Sequence, residues 1–599
     1  MFVKETTVRR GARAYTYVQL VEGFRDEQGR VRHRVVANLG RKEELKASGQ
    51  LEKLAGAFAR LDPPLAGTRR EVGALLVAWH FLGELDVAGV VDRALPRSER
   101  SELSVGEVVV ALVASRLCSP SPLYDIAGWA SGAAVRELLG IPPQLLNDDR
   151  LGRGLKTFAV YAESVRGMLA ARAIERFGSD AGRLHVDLTT VRVAGAYEHS
   201  SLVAKGWGSD RQVARQVRTL QAATGEGVSL YLRPDPGNCS ELALVGASLE
   251  RLAAFAKPGM LMVCDSALGQ PKPLCQVDGA GLSFIVPLKS STGFAERYLG
   301  ELGPGALRPI RHVAERERRL PAKLRTKYRG ALCDWELEDA ETGEPRRFRL
   351  AYIHSSEEQA QVAAARERAL AKAEDALRRV QNGLGGRYYK TETQIQRRVG
   401  QIIGKNIQGL ITVTVATANG RPTISWQRDH DAITQARRTD GIYALATNLP
   451  GALTPGKVLR LYKQQELVER RHRDLKQTLK VRPIFLHNDD RIYALISIIG
   501  IALLIFGLLE TEVRKALYAD DQHQDKRLPL LPEQRMAKPT GANILSAFQG
   551  LDLTYTHRGI ELDPLTPTQQ LILQLLNIKP PWPQRAPEDQ HATNRGKRG

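Results

Sequence analysis

The chain has 599 residues, with 86 Lys and Arg against 66 Asp and Glu, for a formal net charge of +20. At 43% hydrophobic and 25% charged it has a globular composition, which excludes a disordered polycation, and it exceeds the roughly 100–200 residues of one ordinary domain. The basic excess points to a polyanionic partner, nucleic acid first.

The five cysteines form no CxxC pair and no Cys/His cluster, which predicts reduced thiols in a cytoplasmic setting and no structural zinc. The first residues, MFVKETTVRRG, lack the apolar stretch of a signal peptide. Residues 14–39 alternate as a hairpin around the turn Asp26–Gly29, inside a basic N-terminal region spanning 1–65. Residues 66–178 are helical in pattern, as in 105–117, which Ser-Pro-Ser-Pro stops. A helix-turn-helix and a plain helical bundle both fit, and this region is expected to bind DNA.

Over 179–289 the pattern becomes α/β. RLHVDLTTVRV (183–193), MLMVCD (260–265) and LSFIVPLK (282–289) read as buried strands, with a helical pattern at 241–256. Residues 290–450 read as a mainly β insertion with one long helix. It holds a hairpin around Thr342-Gly343, then an Ala-rich helix opening at Ser356-x-x-Gln359 and ending at Gly383. Its sparse apolar positions, Val362, Ala369, Leu377 and Val380, predict a half-exposed arm. Strands return at 409–416 and 441–448, followed by a second core segment (451–515), a C-terminal helical region (516–578) and a Pro-rich tail (579–599) expected to be disordered. Ile492–Leu509 carries no charge over eighteen residues, a length that fits a membrane span or a fully buried helix.

Two carboxylates, Asp187 and Asp265, end apolar strands. Reactive groups collect at such ends in α/β sheets, although a strand-terminal Asp often only caps a turn. Residues 461–485 read as one helix on which Tyr462, Glu469 and Lys476 recur every seven residues and so share a stripe. Gln465 and Arg473 flank Glu469 by four on the same face, and Arg470 adds a cation. A carboxylate for a metal, cations for phosphate and an aromatic for a strand suit phosphodiester chemistry. Asp278, Asp235 and Glu466 are rival carboxylates. The first two sit in turn-like contexts, and Glu466 lies off the stripe.

Tyr462-x2-Gln465-x3-Glu469-x6-Lys476 resembles the Tyr-x2-Arg-x3-Glu-x6-Lys signature of bacterial insertion-sequence transposases of the DDE type. VRPIFLH (481–487), HVDLTTV around Asp187, PGNCSE (236–241), CDSAL with FIVPLK after it, and DGIYALATN (440–448) are similar to that family in the same order. Gln465 departs from the pattern where the signature has Arg, which puts its strand contact in question; Arg470 or Arg473 could replace it.

The resemblance implies an RNase H-like catalytic core, interrupted by the insertion, with Asp187, Asp265 and Glu469 as catalytic and metal-binding carboxylates. It implies two Mg²⁺ or Mn²⁺ ions roughly 3.5–4 Å apart, with Asp187 bridging them. Tyr462, Gln465, Arg470, Arg473 and Lys476 would bind DNA. The expected reaction is cut-and-paste transposition: strand nicking at the element ends, then 3′-OH strand transfer. The partners would be double-stranded DNA (terminal inverted repeats and target) and a second copy in a homodimeric synaptic complex. The Ile492–Leu509 run then becomes a core helix, with no membrane involved. A structure-specific nuclease on the same core, and an inactive DNA-binding relic, are the alternatives.

Charge is unevenly placed. Residues 1–70 carry 15 basic against 8 acidic residues, 311–330 carry 8 against 2, and 451–515 carry 12 against 7. These are three candidate DNA-contact surfaces.

Overall fold

The computed structural model describes residues 2–10, 13–25, 31–47, 66–95, 102–208, 212–240, 244, 259–339, 342–418, 420–464, 466–481, 484, 486–519 and 526–585. The chain divides into two compact units: 1–70 with 552–564 and 582–599, and 71–551 with 565–581.

In the first unit, β1 (Phe2–Arg10), β2 (Arg13–Arg25) and β3 (Val31–Arg41) form an antiparallel sheet in that order. The expected hairpin is the β2–β3 pair; its turn at 26–30 lies outside the described residues. Strand β1 is an addition to that expectation. Val18 and Val21 of β2 are buried with Leu45 of the helix α1 (Lys42–Ala47). A short strand, β4 (Arg69–Glu71), begins near the end of this unit, and Arg69 there is gripped by Asp563 at 2.7 Å and Asp552 at 3.1 Å.

The second unit opens with helices α2 (Leu75–Glu84), α3 (Val87–Ala94), α4 (Val105–Cys118) and α5 (Asp148–Phe177). A capping box starts α4: the Glu107 N–H donates to Ser104 Oγ at 3.0 Å, and the Ser104 N–H donates to Glu107 Oε2 at 2.7 Å. Nearly every residue of α4 is buried, packed among α2, α3 and α5.

A ten-stranded mixed sheet follows. Its strands are β5 (Arg183–Arg192), β6 (Ala204–Trp207), β7 (Val213–Thr224), β8 (Ser229–Pro236), β9 (Leu261–Cys264), β10 (Ser283–Pro287), β11 (Arg308–Ile310), β12 (Tyr328–Glu338), β13 (Pro345–Ser355) and β16 (Ile442–Thr447). The order is β11-β12-β13-β16-β10-β9-β5-β7-β6, with β8 also on β7. β5, β9 and β10 run parallel, and the other pairings are antiparallel. The expected hairpin at Thr342-Gly343 is β12–β13, and it extends this sheet through β16 rather than standing apart from it. The 241–256 helix lies outside the described residues, apart from Leu244.

Between β13 and β16 a smaller body projects, made of α7 (Ser356–Asn382), α8 (Glu392–Ile402), β14 (Ile411–Ala418), β15 (Arg421–Arg428) and α9 (His430–Arg437), numbered after α6 (Pro271–Gly279) of the sheet domain. Leu370, Ala373, Leu377, Val380, Ile395, Ile407, Ile411, Ile424 and Ile433 make its core. Leu377 and Val380 are buried as expected, whereas Val362 is exposed. Ser355, one residue before the expected position, caps α7; Ser356 Oγ instead accepts from the Lys327 N–H at 2.9 Å.

The charge-free run belongs to a 29-residue helix, Asp489–Leu517, whose apolar window is 94% buried within the protein. It packs on α4, α5 and β8. Its two glycines explain the close fit. A Cβ at Gly507 would lie 3.1 Å from the Gly227 carbonyl oxygen, and one at Gly500 would lie 3.2 Å from the Leu232 side chain. The run is therefore shaped to fit neighbouring segments of its own chain.

Candidate active site

Strands β5 and β9 run parallel with Val186 beside Cys264. Asp187 and Asp265 therefore follow at the same level on neighbouring strands, whose backbones lie roughly 4.8 Å apart. Asp187 is half-buried, and its Oδ1 accepts from the Leu188 N–H at 2.7 Å. Asp265 is exposed and caps the turn Ser266–Leu268, with Oδ1 accepting from the Ser266 N–H. Capping and catalytic readings thus coexist at Asp265. Beneath them Cys264 is buried, and burial with the charges of Asp187 and Asp265 pushes its thiol far up, so it stays an unreactive packing residue.

The third carboxylate arrives on a helix. The expected single helix over 461–485 is divided: α10 (Pro455–Lys463) ends at Gln464, α11 (Glu466–Arg473) follows, and Asp474–Thr478 continues as a π turn. In that turn the Leu479 N–H reaches the Asp474 carbonyl at 2.9 Å, which widens the spiral by a residue, so Lys476 no longer holds the ideal seven-residue spacing. Helix α11 packs on β5 and β7. His472, buried, places Nδ1 3.4 Å from Asp187 Oδ2. Burial, with Lys476 acting in the same direction, lowers His472 to about 3, so the imidazole is neutral against that carboxylate. Glu469 is exposed three residues earlier on the same helix, about one turn from His472.

Tyr462 reports on the same ground. Burial raises its phenol pKa, and the charges of Asp265, Glu358, Glu469 and Asp187 raise it further. One hydroxyl therefore senses all three acidic residues singled out from sequence, and it remains a protonated donor. The ring packs against the core that includes Leu261, Val263 and Leu459, 6.5 Å from the Tyr443 ring.

The other expected DNA contacts separate. Arg473 is exposed and Lys476 is half-buried. Arg470 turns toward the interior, with Nη2 3.4 Å from Glu510 Oε1. Gln465 lies outside the described residues, as does the Glu466 side chain. Of the other rivals, Asp278 binds Arg346 at 3.1 Å and Asn448 at 2.8 Å, and buried Asp235 pairs with Arg233 at 2.9 Å; both are structural.

Sequence reasoning missed what anchors α11. Arg471, fully buried, donates Nε–H to the Gly227 carbonyl at 2.6 Å and Nη1–H to Asp474 at 2.8 Å and Glu510 at 3.1 Å. Glu510, on the buried 29-residue helix, also meets Arg514 and accepts from the Gly541 N–H at 3.1 Å. An alternation of charge within an Arg-rich helix was the only available signal, and it looked the same as a solvated face.

Among the described residues, no three His, Cys, Asp or Glu side chains converge closely enough to hold a metal ion by themselves. The donors nevertheless fit a hard divalent cation: they are oxygen ligands, and Mg²⁺ keeps waters and takes phosphate oxygens from its substrate.

Two aspartates thus follow neighbouring parallel strands of a mixed α/β sheet, with a helix bearing a further carboxylate packed on the first of those strands. The transposase DDE domain family matches residues 178–505, the IS1634 family transposase N-terminal domain matches 3–63, and a domain of unknown function matches 70–169. The chain belongs to the DDE transposases of insertion sequences, enzymes that cleave DNA and transfer its strands. No curated protein matches it. Divalent metal ions are used generally in this family.

Proposed function

We propose that the protein carries out cut-and-paste transposition of its insertion sequence, with Asp187, Asp265 and Glu469 as the catalytic carboxylates on an RNase H-like core. The strand order β8-β7-β5-β9-β10, three antiparallel strands followed by two parallel ones, supports that core. The single observation that carries the site is the pairing of Asp187 with Asp265 on parallel neighbours, overlaid by the helix that bears Glu469 and His472. Residues 290–450 are the insertion after that core in this reading: β11, β12, β13 and β16 extend the sheet beyond β10, and 356–440 form the smaller body between β13 and β16.

The three carboxylates would hold two Mg²⁺ or Mn²⁺ ions, which supply Lewis-acid stabilisation of the oxygens exchanged in an in-line displacement. Tyr462 donates its hydroxyl to a phosphate oxygen or a displaced strand, because its environment keeps the proton on. Lys476 and Arg473 neutralise phosphates from the exposed side of the helix. His472 orients Asp187, and Arg471 fixes the rotation of α11. The substrates are the terminal inverted repeats and a target duplex, brought together by two copies of the chain in the cytoplasm.

Incubating the purified protein with a plasmid bearing both element ends and Mg²⁺ tests the reading. Release of the excised element, followed by its joining to a second plasmid, is expected. Cleavage that ignores the element ends would indicate a structure-specific nuclease, and nicking with joining but no release would rule out cut-and-paste.

A further inference from the structure

The hairpin formed by β6 and β7 carries an exposed surface that lies on the active-site face of the sheet. Directly opposite residues in an antiparallel pair point to the same face. Asp187 stands opposite Gln221, Thr189 opposite Thr219 and Val191 opposite Val217 on β5 and β7. Further along β7 the same alternation reaches Arg215, opposite Lys205, and Val213, opposite Trp207. Asp187, Lys205 and Trp207 therefore share one face.

Its covering changes along the strand. Gln221, Thr219 and Val217 are buried, Arg215 is half-buried, and Val213 and Trp207 are 62% and 60% exposed. A large indole and a valine left open beside Lys205 and Arg215 make an apolar spot flanked by cations, the composition expected for a nucleic-acid contact.

The hairpin is also held firmly. Gln216 is fully buried and donates Nε2–H to the carbonyls of Gly237 at 3.0 Å and Trp207 at 3.3 Å. A Cβ at Gly206 would fall 2.2 Å from the Gly237 carbonyl oxygen, so only glycine permits this approach. The Arg215 guanidinium is tied to the Tyr197 carbonyl at 3.1 Å. Trp207 is thus presented on a fixed strand rather than a loose tip.

We infer that this surface is a docking site for the DNA duplex that continues from the scissile phosphodiester, with Lys205 and Arg215 on phosphates and the Trp207 indole against the sugar and base edge. From Gln221 to Val213 is eight residues along β7, or roughly 27 Å at strand spacing. At roughly 3.4 Å per base pair, the contact falls about eight pairs from the cut. The inference rests on Asp187 marking the reacting phosphate.

The test uses the full chain and element-end duplexes that extend 4 or 14 base pairs beyond the scissile position, on either side in turn. Trp207→Ala is expected to weaken binding roughly ten-fold on one of the long duplexes, with the difference from the unaltered protein disappearing on the matching short one. Trp207→Phe should recover most of the loss, and Lys205→Gln should lower the salt slope on the long duplex by roughly 0.9. Equal losses on long and short DNA would overturn the assignment, as would no loss on either long duplex. A change confined to self-association, read by sedimentation, would make the surface a contact between copies and also overturn it. Mg²⁺-dependent nicking by Asp187→Asn separates the premise from the inference: retained nicking would displace the marker itself.

Discussion

His472 Nδ1 lies 3.4 Å from Asp187 Oδ2, so the helix that carries Glu469 touches the first aspartate through a buried neutral imidazole. Groups that orient a metal-binding carboxylate typically contribute 10–100-fold in metal affinity or activity. His472→Ala should therefore raise the Mg²⁺ concentration needed for half-maximal nicking about ten-fold or more, with His472→Asn retaining part of the effect. An unchanged Mg²⁺ midpoint would show that the imidazole only fills space.

Asp187→Asn, Asp265→Asn and Glu469→Gln should each abolish Mg²⁺-dependent cleavage of element ends while gel-shift binding of the same DNA persists. Each change removes a charged oxygen ligand and leaves the shape of the side chain. Full cleavage by any one of the three would remove that residue from the site.

The buried cluster around Glu510 predicts acid sensitivity. Burial alone would raise its carboxyl, but Arg471, Arg514 and Arg470 outweigh that and bring it down to about 2 from an ordinary 4.5. A depressed carboxyl contributes stability that is complete above its unfolded value and is lost as pH falls through the folded one. Urea midpoints should thus decline between pH 4.5 and 2. Glu510→Gln, which strands buried arginines, should cost about 3–5 kcal/mol at neutral pH and flatten that decline. A decline as steep in the variant as in the parent would place the acid-labile group elsewhere.

Arg470 and Arg473 are three residues apart, yet they should behave differently. Arg473→Ala, and Lys476→Ala with it, should weaken DNA binding and lower its salt slope by roughly 0.9 for each phosphate contact removed. Arg470→Ala should instead lower the unfolding midpoint, because its guanidinium faces Glu510 at 3.4 Å. Thermal unfolding and salt-titrated binding, measured on all three variants, would expose a reversal.

Gly507 should tolerate no larger residue. Gly507→Val would drive a side chain into the Gly227–Val228 backbone, 3.1 Å from where its Cβ would sit, at a cost of about 1–3 kcal/mol. Chemical denaturation measures this directly, and a neutral result would mean that the helix can shift aside.

The sequence made the strands of the core legible because each is a short apolar run closed by a polar residue. Asp187 and Asp265 stood out for that reason, and the parallel register then set them side by side. Helix α4 was readable through its apolar pattern and the Ser-Pro-Ser-Pro stop, and the long helix through its uninterrupted apolar run. Contacts between distant segments were not readable. His472 and Arg471 are two of five consecutive charged or titratable residues in RRHRD, and nothing local says which of them turns inward. The π turn after Arg473 was equally hidden, since hydrogen-bond slippage leaves no periodicity over five residues. The junction of β13 with β16 joins residues about ninety apart in sequence, beyond the reach of any local pattern, so the sequence showed the hairpin but not the sheet it joins.

The order in which the active site is encoded has a consequence for synthesis. Both aspartates have left the ribosome long before Glu469 is translated, and the helix that buries Arg471 runs on to residue 517. A chain released early, by a premature stop or a frameshift between residues 266 and 468, would carry the amino-terminal sheet and helices and two of the three proposed catalytic carboxylates. Such a fragment could occupy element ends without cutting them. With Glu469 as the third carboxylate, nuclease competence is deferred to roughly the last fifth of translation, and incomplete products fall on the side of restraint.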